Sequence, residues 1–277
     1  MSALSPTEIK SLCKKYGLTP SKKYGQNYLI SQGTINKMIS VGDFDKNDTV
    51  VEIGPGFGIL TFALAPLVKK VIAFEIERKI KPYWDEKTKE FPNIEIVWGN
   101  ALHKIQNSEF RIQNYKVVAN LPYQITSHAL RTLFELNNKP ESIIVMVQKE
   151  VADRICAKSG DMSILSVSVQ YYGTAKIIAK VPKGNFWPQP KVDSSILSIK
   201  TFKHLGIKTS GDEDFFKIVR AGFANKRKQL WRNLSNNLDF PKEEVKKAIT
   251  LAVGNEKIRA QELSVEQWKK LCECLIT

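Results

Sequence analysis

Four consecutive residues, Asn120-Leu121-Pro122-Tyr123, carry the sharpest chemical signal in the chain. An exocyclic amine on an aromatic base is a poor nucleophile, because its lone pair is delocalised into the ring. A site can help by accepting both N–H hydrogens and drawing the nitrogen toward tetrahedral geometry. Asn120 offers a side-chain carbonyl and Leu121 a main-chain carbonyl. Pro122 fixes the local backbone and has no competing N–H. Tyr123 offers a flat face for stacking, worth roughly 1–3 kcal/mol per base. No strong general base is needed, since alkylation makes the nitrogen cationic and its proton acidic. The work is then mostly positioning and electrostatics. A second aromatic–proline segment, Asn185 to Ser194, holds Phe186, Trp187, Pro188 and Pro190. Phe186 could close the opposite side of a base with Trp187 flanking it. Both rings could equally be hydrophobic loop anchors.

An amine acceptor needs a donor site beside it, and the segment Val50 to Thr61 supplies a candidate. It starts as an apolar, β-branched strand interrupted only by Glu52. It then breaks into Gly54-Pro55-Gly56-Phe57-Gly58 and continues as a helix through Leu64. Strand, glycine turn and helix form the first half of a nucleotide-binding βαβ unit, with backbone able to approach a ligand closely. Val71 to Phe74 reads as the second strand and ends in Glu75. An acid about 20 positions after the first glycine suits a ribose hydroxyl pair. The Gly-x-Gly-x-Gly spacing differs from that of dinucleotide enzymes and favours a ligand without a pyrophosphate, such as S-adenosylmethionine. An ordinary tight turn is the bland alternative. Glu52 argues against it, because a carboxylate in a strand needs a partner that a sulfonium or amino group could supply.

These segments sit in a regular alternation of strands and helices. Further strands are expected at 94–101, 115–119, 142–147, 175–181 and 195–200, and Thr126 or Ser127 should cap a helix over 129–136. The first of these, 94–101, ends in Gly99-Asn100-Ala101, where a polar side chain could meet an adenine edge or simply make a turn. The pattern predicts an α/β, doubly wound, Rossmann-like sheet over residues 1–202. From 203 to 277 the chain becomes helical and basic, which predicts a smaller all-helical domain.

The 277 residues include 42 Lys and Arg against 28 Asp and Glu, a net charge of +14 that points to a polyanionic partner. Basic pairs fall at Lys14-Lys15, Lys22-Lys23, Lys69-Lys70 and Lys246-Lys247, the second in a stretch that could also be a solvated loop, and a basic triplet falls at Lys226-Arg227-Lys228. Phosphate contacts from such groups give affinity and register rather than sequence information. Cys13, Cys156, Cys272 and Cys274 form no metal-ligand or disulfide pattern. No metal, signal peptide or membrane span is expected. A reduced, cytoplasmic setting is expected.

Taken together, Gly25 to Leu29, Glu52 to Thr61, Asn120 to Tyr123, Phe186 to Ser194 and Phe223 to Leu230 resemble the ribosomal RNA adenine N6-dimethyltransferases. The resemblance covers nearly the whole chain and is greatest to the bacterial small-subunit (16S) group. It implies a class I methyltransferase sheet, S-adenosylmethionine as cofactor, and RNA binding by the helical region. It also implies dimethylation of two adjacent adenines near the 3′ end of small-subunit RNA, within a pre-ribosomal 30S particle, by a monomer. Gln26, Asn27 and Leu29 would line the cofactor pocket, with Gly54 and Gly56 at the methionine moiety, Glu75 at the ribose, and Asn100 and Ala101 at the adenine. Asn100 stands where the family usually has an aspartate. Asn120 and Leu121 would hold the target amine, and Tyr123 and Phe186 the base. Lys22, Lys23, Lys226, Arg227 and Lys228 would contact RNA. Two other readings share these features: the large-subunit methylases that confer macrolide resistance, and an assembly factor whose binding matters more than its chemistry.

Overall fold

The computed structural model describes residues 3–20, 26–107, 112–202 and 210–276. Among the described residues, nine strands run in chain order: β1 (Tyr28–Leu29), β2 (Thr49–Ile53), β3 (Lys70–Glu75), β4 (Ile94–Trp98), β5 (Tyr115–Asn120), β6 (Ser142–Gln148), β7 (Gly173–Val181), β8 (Phe186–Trp187) and β9 (Ser194–Thr201). Between and before them lie α1 (Pro6–Lys15), α2 (Gln32–Ser40), α3 (Ile59–Leu64), α4 (Lys81–Lys87), α5 (Ala101–Gln106), α6 (Thr126–Glu135), α7 (Lys149–Ile155) and α8 (Ile164–Tyr172). The chain then ends in α9 (Ser210–Gly222), α10 (Leu230–Asn237), α11 (Lys242–Val253) and α12 (Val265–Ile276). Among the described residues, no helix is long and apolar enough to cross a membrane.

Contacts divide the chain into one unit of Met1–Ala152 with Ala175–Gly206 and another of Asp153–Thr174 with Ile207–Thr277. In the first, seven strands form a mixed sheet in the order β4-β3-β2-β5-β6-β9-β7. The pairs β4/β3, β3/β2, β2/β5 and β5/β6 are parallel, and β9 returns antiparallel to β6. Parallel strands are covered on both faces, so they read as continuous apolar runs rather than alternating ones. Val50, Val51, Val117, Val118 and Ala119 are accordingly fully buried. From β2 the chain moves outward to β3 and β4, then crosses back to β5 and β6. The order therefore reverses between β2 and β5, and ligands of open α/β sheets bind beyond the strand ends at such a point.

The second unit is organised around Asp212, which is 3% exposed near the start of α9. Its carboxylate accepts from Tyr171 Oη at 2.9 Å and Tyr172 Oη at 3.2 Å, both at the end of α8. Phe215 stacks on Tyr171 with ring centroids 4.2 Å apart. Asp212, Phe215, Ile218 and Val219 form the buried stripe of α9, at the three- and four-residue steps of a helix face.

Candidate functional site

The turn after β2 opens the site. Gly54, Gly56 and Gly58 all have positive φ, at 74°, 55° and 80°, a region that other residues enter only at a cost. They serve different ends. A Cβ on Gly58 would lie 2.4 Å from the Phe62 ring and 2.8 Å from Trp84, so this glycine is required by packing. A Cβ on Gly54 would meet nothing within 4 Å. Gly54 faces a cleft whose walls include Asn27, Leu29, Glu52, Glu75 and Asn120. The turn itself is pinned, since Gly54 N–H donates to Phe74 O at 2.9 Å and Trp84 Nε1 donates to Gly56 O at 3.0 Å.

Two buried carboxyls line this cleft. Glu52 is 1% exposed, and its Oε2 accepts from Thr61 Oγ1 at 2.6 Å. The partner expected from a ligand is thus supplied in part by the first turns of α3. Burial pushes the Glu52 carboxyl up to about 8, against the pull of the Thr61 bond. Glu75 ends β3 with Oε2 accepting from Gly56 N–H at 3.0 Å and Oε1 from Glu77 N–H at 2.8 Å. Burial outweighs those bonds and raises its carboxyl as well. Among the described residues neither carboxyl has a cationic partner. A ligand carrying positive charge and hydroxyl donors matches that pair. The open space over Gly54 gives it room against bare backbone.

Asn120 ends β5, next to β2 in the sheet. Its Nδ2 donates to Asn27 O at 2.9 Å. A carbonyl can only accept, so this bond turns the amide and directs Oδ1 away from Asn27. The Asn27 segment is held in turn by β1, which pairs antiparallel with β8 through Tyr28↔Trp187 and Leu29↔Phe186. Ile30 N–H donates to Asn185 O at 2.8 Å, and Asn185 Nδ2 to Thr34 Oγ1 at 3.0 Å. Tyr123 lies one residue past Pro122, in a 3₁₀ turn, and its hydroxyl sits 2.7 Å from Ser194 Oγ. Ser194 is fully buried at the start of β9. The two segments expected to frame a base are therefore joined by one hydrogen bond.

Gln26, Asn27, Leu29, Gly54, Gly56, Glu75 and Asn120 all line the same cleft. Tyr28, Ile76 and Glu77 also line it, though sequence reasoning passed over them. Tyr28 stacks on Phe57 at 5.3 Å, and its ring is what a Cβ on Gly56 would touch. Asn100 and Ala101 do not line the cleft as it stands. Asn100 is exposed at the N-cap of α5, with Oδ1 accepting from Leu102 N–H at 3.0 Å. The Leu121 side chain is buried, and its N–H donates to Met146 O at 3.3 Å. Phe186 is 3% exposed and packed in the core, so its ring presents no open face here, while Trp187 is half-buried. The helix after Tyr123 begins at Thr126 without a side-chain cap, a correction to the expected cap at 126 or 127. Thr126 Oγ1 donates back to Pro122 O, and the 3₁₀ turn supplies the entry instead. Lys226, Arg227 and Lys228 are exposed on the turn between α9 and α10, which buried Asn233 braces by donating to Gly222 O and Asn225 O. Lys22 and Lys23 lie outside the described residues.

Residues 18–277 match the family model described as ribosomal RNA adenine dimethylase. The chain is 42% identical over 267 residues to ribosomal RNA small subunit methyltransferase A of Dehalococcoides mccartyi, covering 96% of this chain and 91% of that protein. It is 38% identical over 282 residues to the protein of the same name from Bacillus cytotoxicus, covering 98% and 97%. Among solved structures, a dimethyladenosine transferase from Plasmodium falciparum superposes with a TM-score of 0.74 at 26% identity, over 88% of this chain and 95% of that one. The 23S rRNA methyltransferase ErmE superposes with a TM-score of 0.73 at 26% identity, over 91% and 100%.

Proposed function

The chain belongs to the family of ribosomal RNA adenine dimethylases, and we propose that it methylates N6 of two adjacent adenines near the 3′ end of small-subunit ribosomal RNA. Each adenine receives two methyl groups. The observation that carries this reading is Asn120. Its amide is oriented by the Asn27 carbonyl, at the same strand-end cleft as the open backbone over Gly54. The relatives named above as small-subunit methyltransferases support that RNA over the large-subunit one. We place the reaction on a pre-ribosomal 30S particle in the cytoplasm, with the protein acting as a monomer.

S-adenosylmethionine supplies an electrophilic methyl group on a positively charged sulfur. Its ribose would meet Glu75, whose two oxygens are already fixed by Gly56 and Glu77 and keep lone pairs for hydroxyl donors. Its methionine end would lie along Gly54 and Gly56, near Glu52. A cation there favours the ionised carboxylate, the form that burial disfavours in the free protein. Asn100, through the second lone pair of Oδ1, is the proposed contact for the adenine amine, with Ala101 beside it. The target adenine must leave its stack to reach the cleft. Tyr123 then receives its face, and Phe186 is proposed as the opposite wall once its ring is uncovered. Asn120 Oδ1 and the Leu121 carbonyl accept the two N–H hydrogens of N6. The nitrogen lone pair is thereby released from the ring toward the methyl carbon. The new N–C bond forms as the S–C bond breaks, and the proton on the alkylated nitrogen passes to water. Repetition on the monomethylated amine needs only one acceptor.

RNA affinity is assigned to the helical region 203–277, with Lys226, Arg227 and Lys228 as phosphate contacts, and to Lys22 and Lys23. The test is to map methylated adenines by primer extension in cells with and without this gene. Loss of two adjacent stops near the 3′ end of small-subunit RNA is expected. Stops lost from large-subunit RNA instead would overturn the substrate.

A further inference from the structure

One aromatic ring in the helical unit gathers cations around it. Trp231 is half-buried in the first turn of α10, and its Nε1 donates to Gln229 Oε1 at 2.9 Å, which fixes the ring. The guanidinium carbon of Arg232 lies 5.0 Å from the ring centroid, Lys242 Nζ 4.9 Å and Lys246 Nζ 5.2 Å. Lys242 and Lys246 are four residues apart on α11 and so share a face. Lys246 is partly answered by Glu256 at 3.1 Å and Glu243 at 3.8 Å. Among the described residues, Arg232 and Lys242 have no carboxylate partner. Each cation gains about 0.5–1 kcal/mol from an exposed ring, an amount comparable to the repulsion between neighbouring cations in water. The ring therefore holds the charges together without neutralising them. A multivalent anion is what such an arrangement is short of.

We propose that Trp231, Arg232 and Lys242 form a phosphate site for the RNA backbone, with Trp231 positioning the two cations. The site continues the basic turn at Lys226–Lys228, which leads directly into α10. It rests on the reading that the protein acts on ribosomal RNA, and it adds contacts that the basic triplet alone does not provide. A phosphodiester is favoured over a base, because the ring is already attended by cations and the charges are what remain open.

The test uses the full-length protein, unmethylated small subunits and labelled S-adenosylmethionine. Binding is measured across a series of salt concentrations, alongside KM for the subunit and kcat. The Arg232→Gln/Lys242→Gln variant should lower the slope of log K against log salt by about 1.5, close to one ion per charge removed. Its KM should rise about tenfold or more, with kcat and calorimetric affinity for S-adenosylmethionine unchanged. Trp231→Ala keeps the charges but loses their order, so its affinity should fall severalfold with the slope retained, and Trp231→Phe should recover most of it. A Gln/Gln variant with wild-type slope and KM would overturn the site while leaving the methyltransferase reading intact. Absence of methyl transfer by the wild-type protein to these subunits would remove both.

Discussion

Replacing Glu52 with glutamine should flatten the dependence of stability on pH in the range where the native protein weakens. The side chain is 1% exposed in β2, and burial carries its carboxyl from an ordinary 4.5 to about 8. A carboxyl whose pKa rises on folding holds its proton more tightly in the native state. Its contribution is therefore fully favourable in acid, declines as pH rises above about 4.5, and stops declining above about 8. Raising the pH from 5 to 7 crosses most of that window. At about 1.4 kcal/mol per pH unit on the steep part, the wild type should lose about 2–3 kcal/mol through this residue. Glutamine has nearly the same shape, cannot ionise, and can still accept the Thr61 hydroxyl through its carbonyl. Urea unfolding at pH 5, 6 and 7 without methyl donor should show the stability difference between variant and wild type widening by that amount. Glu75, the other raised carboxyl, is common to both proteins and largely cancels. Bound S-adenosylmethionine should ionise Glu52, so calorimetry near pH 7 should detect proton release in the wild type and less in Glu52→Gln. Identical pH profiles for the two proteins would refute a neutral Glu52 in the donor-free fold.

Glu75→Gln removes one of two acceptors at the ribose position, and calorimetry should show S-adenosylmethionine bound about tenfold more weakly, from the loss of about 1–1.5 kcal/mol; unchanged affinity would take Glu75 out of the site. Ser194→Ala leaves the Tyr123 hydroxyl without its 2.7 Å partner, so KM for the RNA should rise about fivefold, matching one hydrogen bond of about 1 kcal/mol. Tyr123→Phe should give a similar rise, and the double variant no more than either alone. Additive effects would mean that the bond does not hold the ring.

Much of the site was readable because its strands are buried on both faces and its glycines are needed by geometry. Val50, Val51, Val117 and Val118 announce parallel strands through unbroken apolar runs, and the strand ends then follow. What escaped was whatever depends on contacts between distant segments. Thr61 answers Glu52 only because the turn brings the first turns of α3 under β2, so a ligand looked like the necessary partner. β1 and β8 are two residues each, too short to show alternation, yet their pairing seats Asn27 against Asn120. Phe186 reads as a loop aromatic, and that same pairing draws it into the core. Tyr171 and Tyr172 look like the end of any apolar helix, and their bonds to Asp212, forty residues on, with the stacking of Phe215 on Tyr171, draw residues 153–174 to the C-terminal helices. Asn100 keeps a capping oxygen occupied by Leu102, a local competition that spacing alone does not reveal.

One substitution bears most directly on how the amine is activated. Asn120→Ala deletes one of the two acceptors at N6, and loss of a single preorganised group facing developing charge costs on the order of 100–1000-fold in rate. With labelled S-adenosylmethionine and unmethylated small subunits, methyl transfer should fall by at least about a hundredfold while subunit binding persists. Transfer at the wild-type rate by Asn120→Ala would contradict the mechanism at its centre.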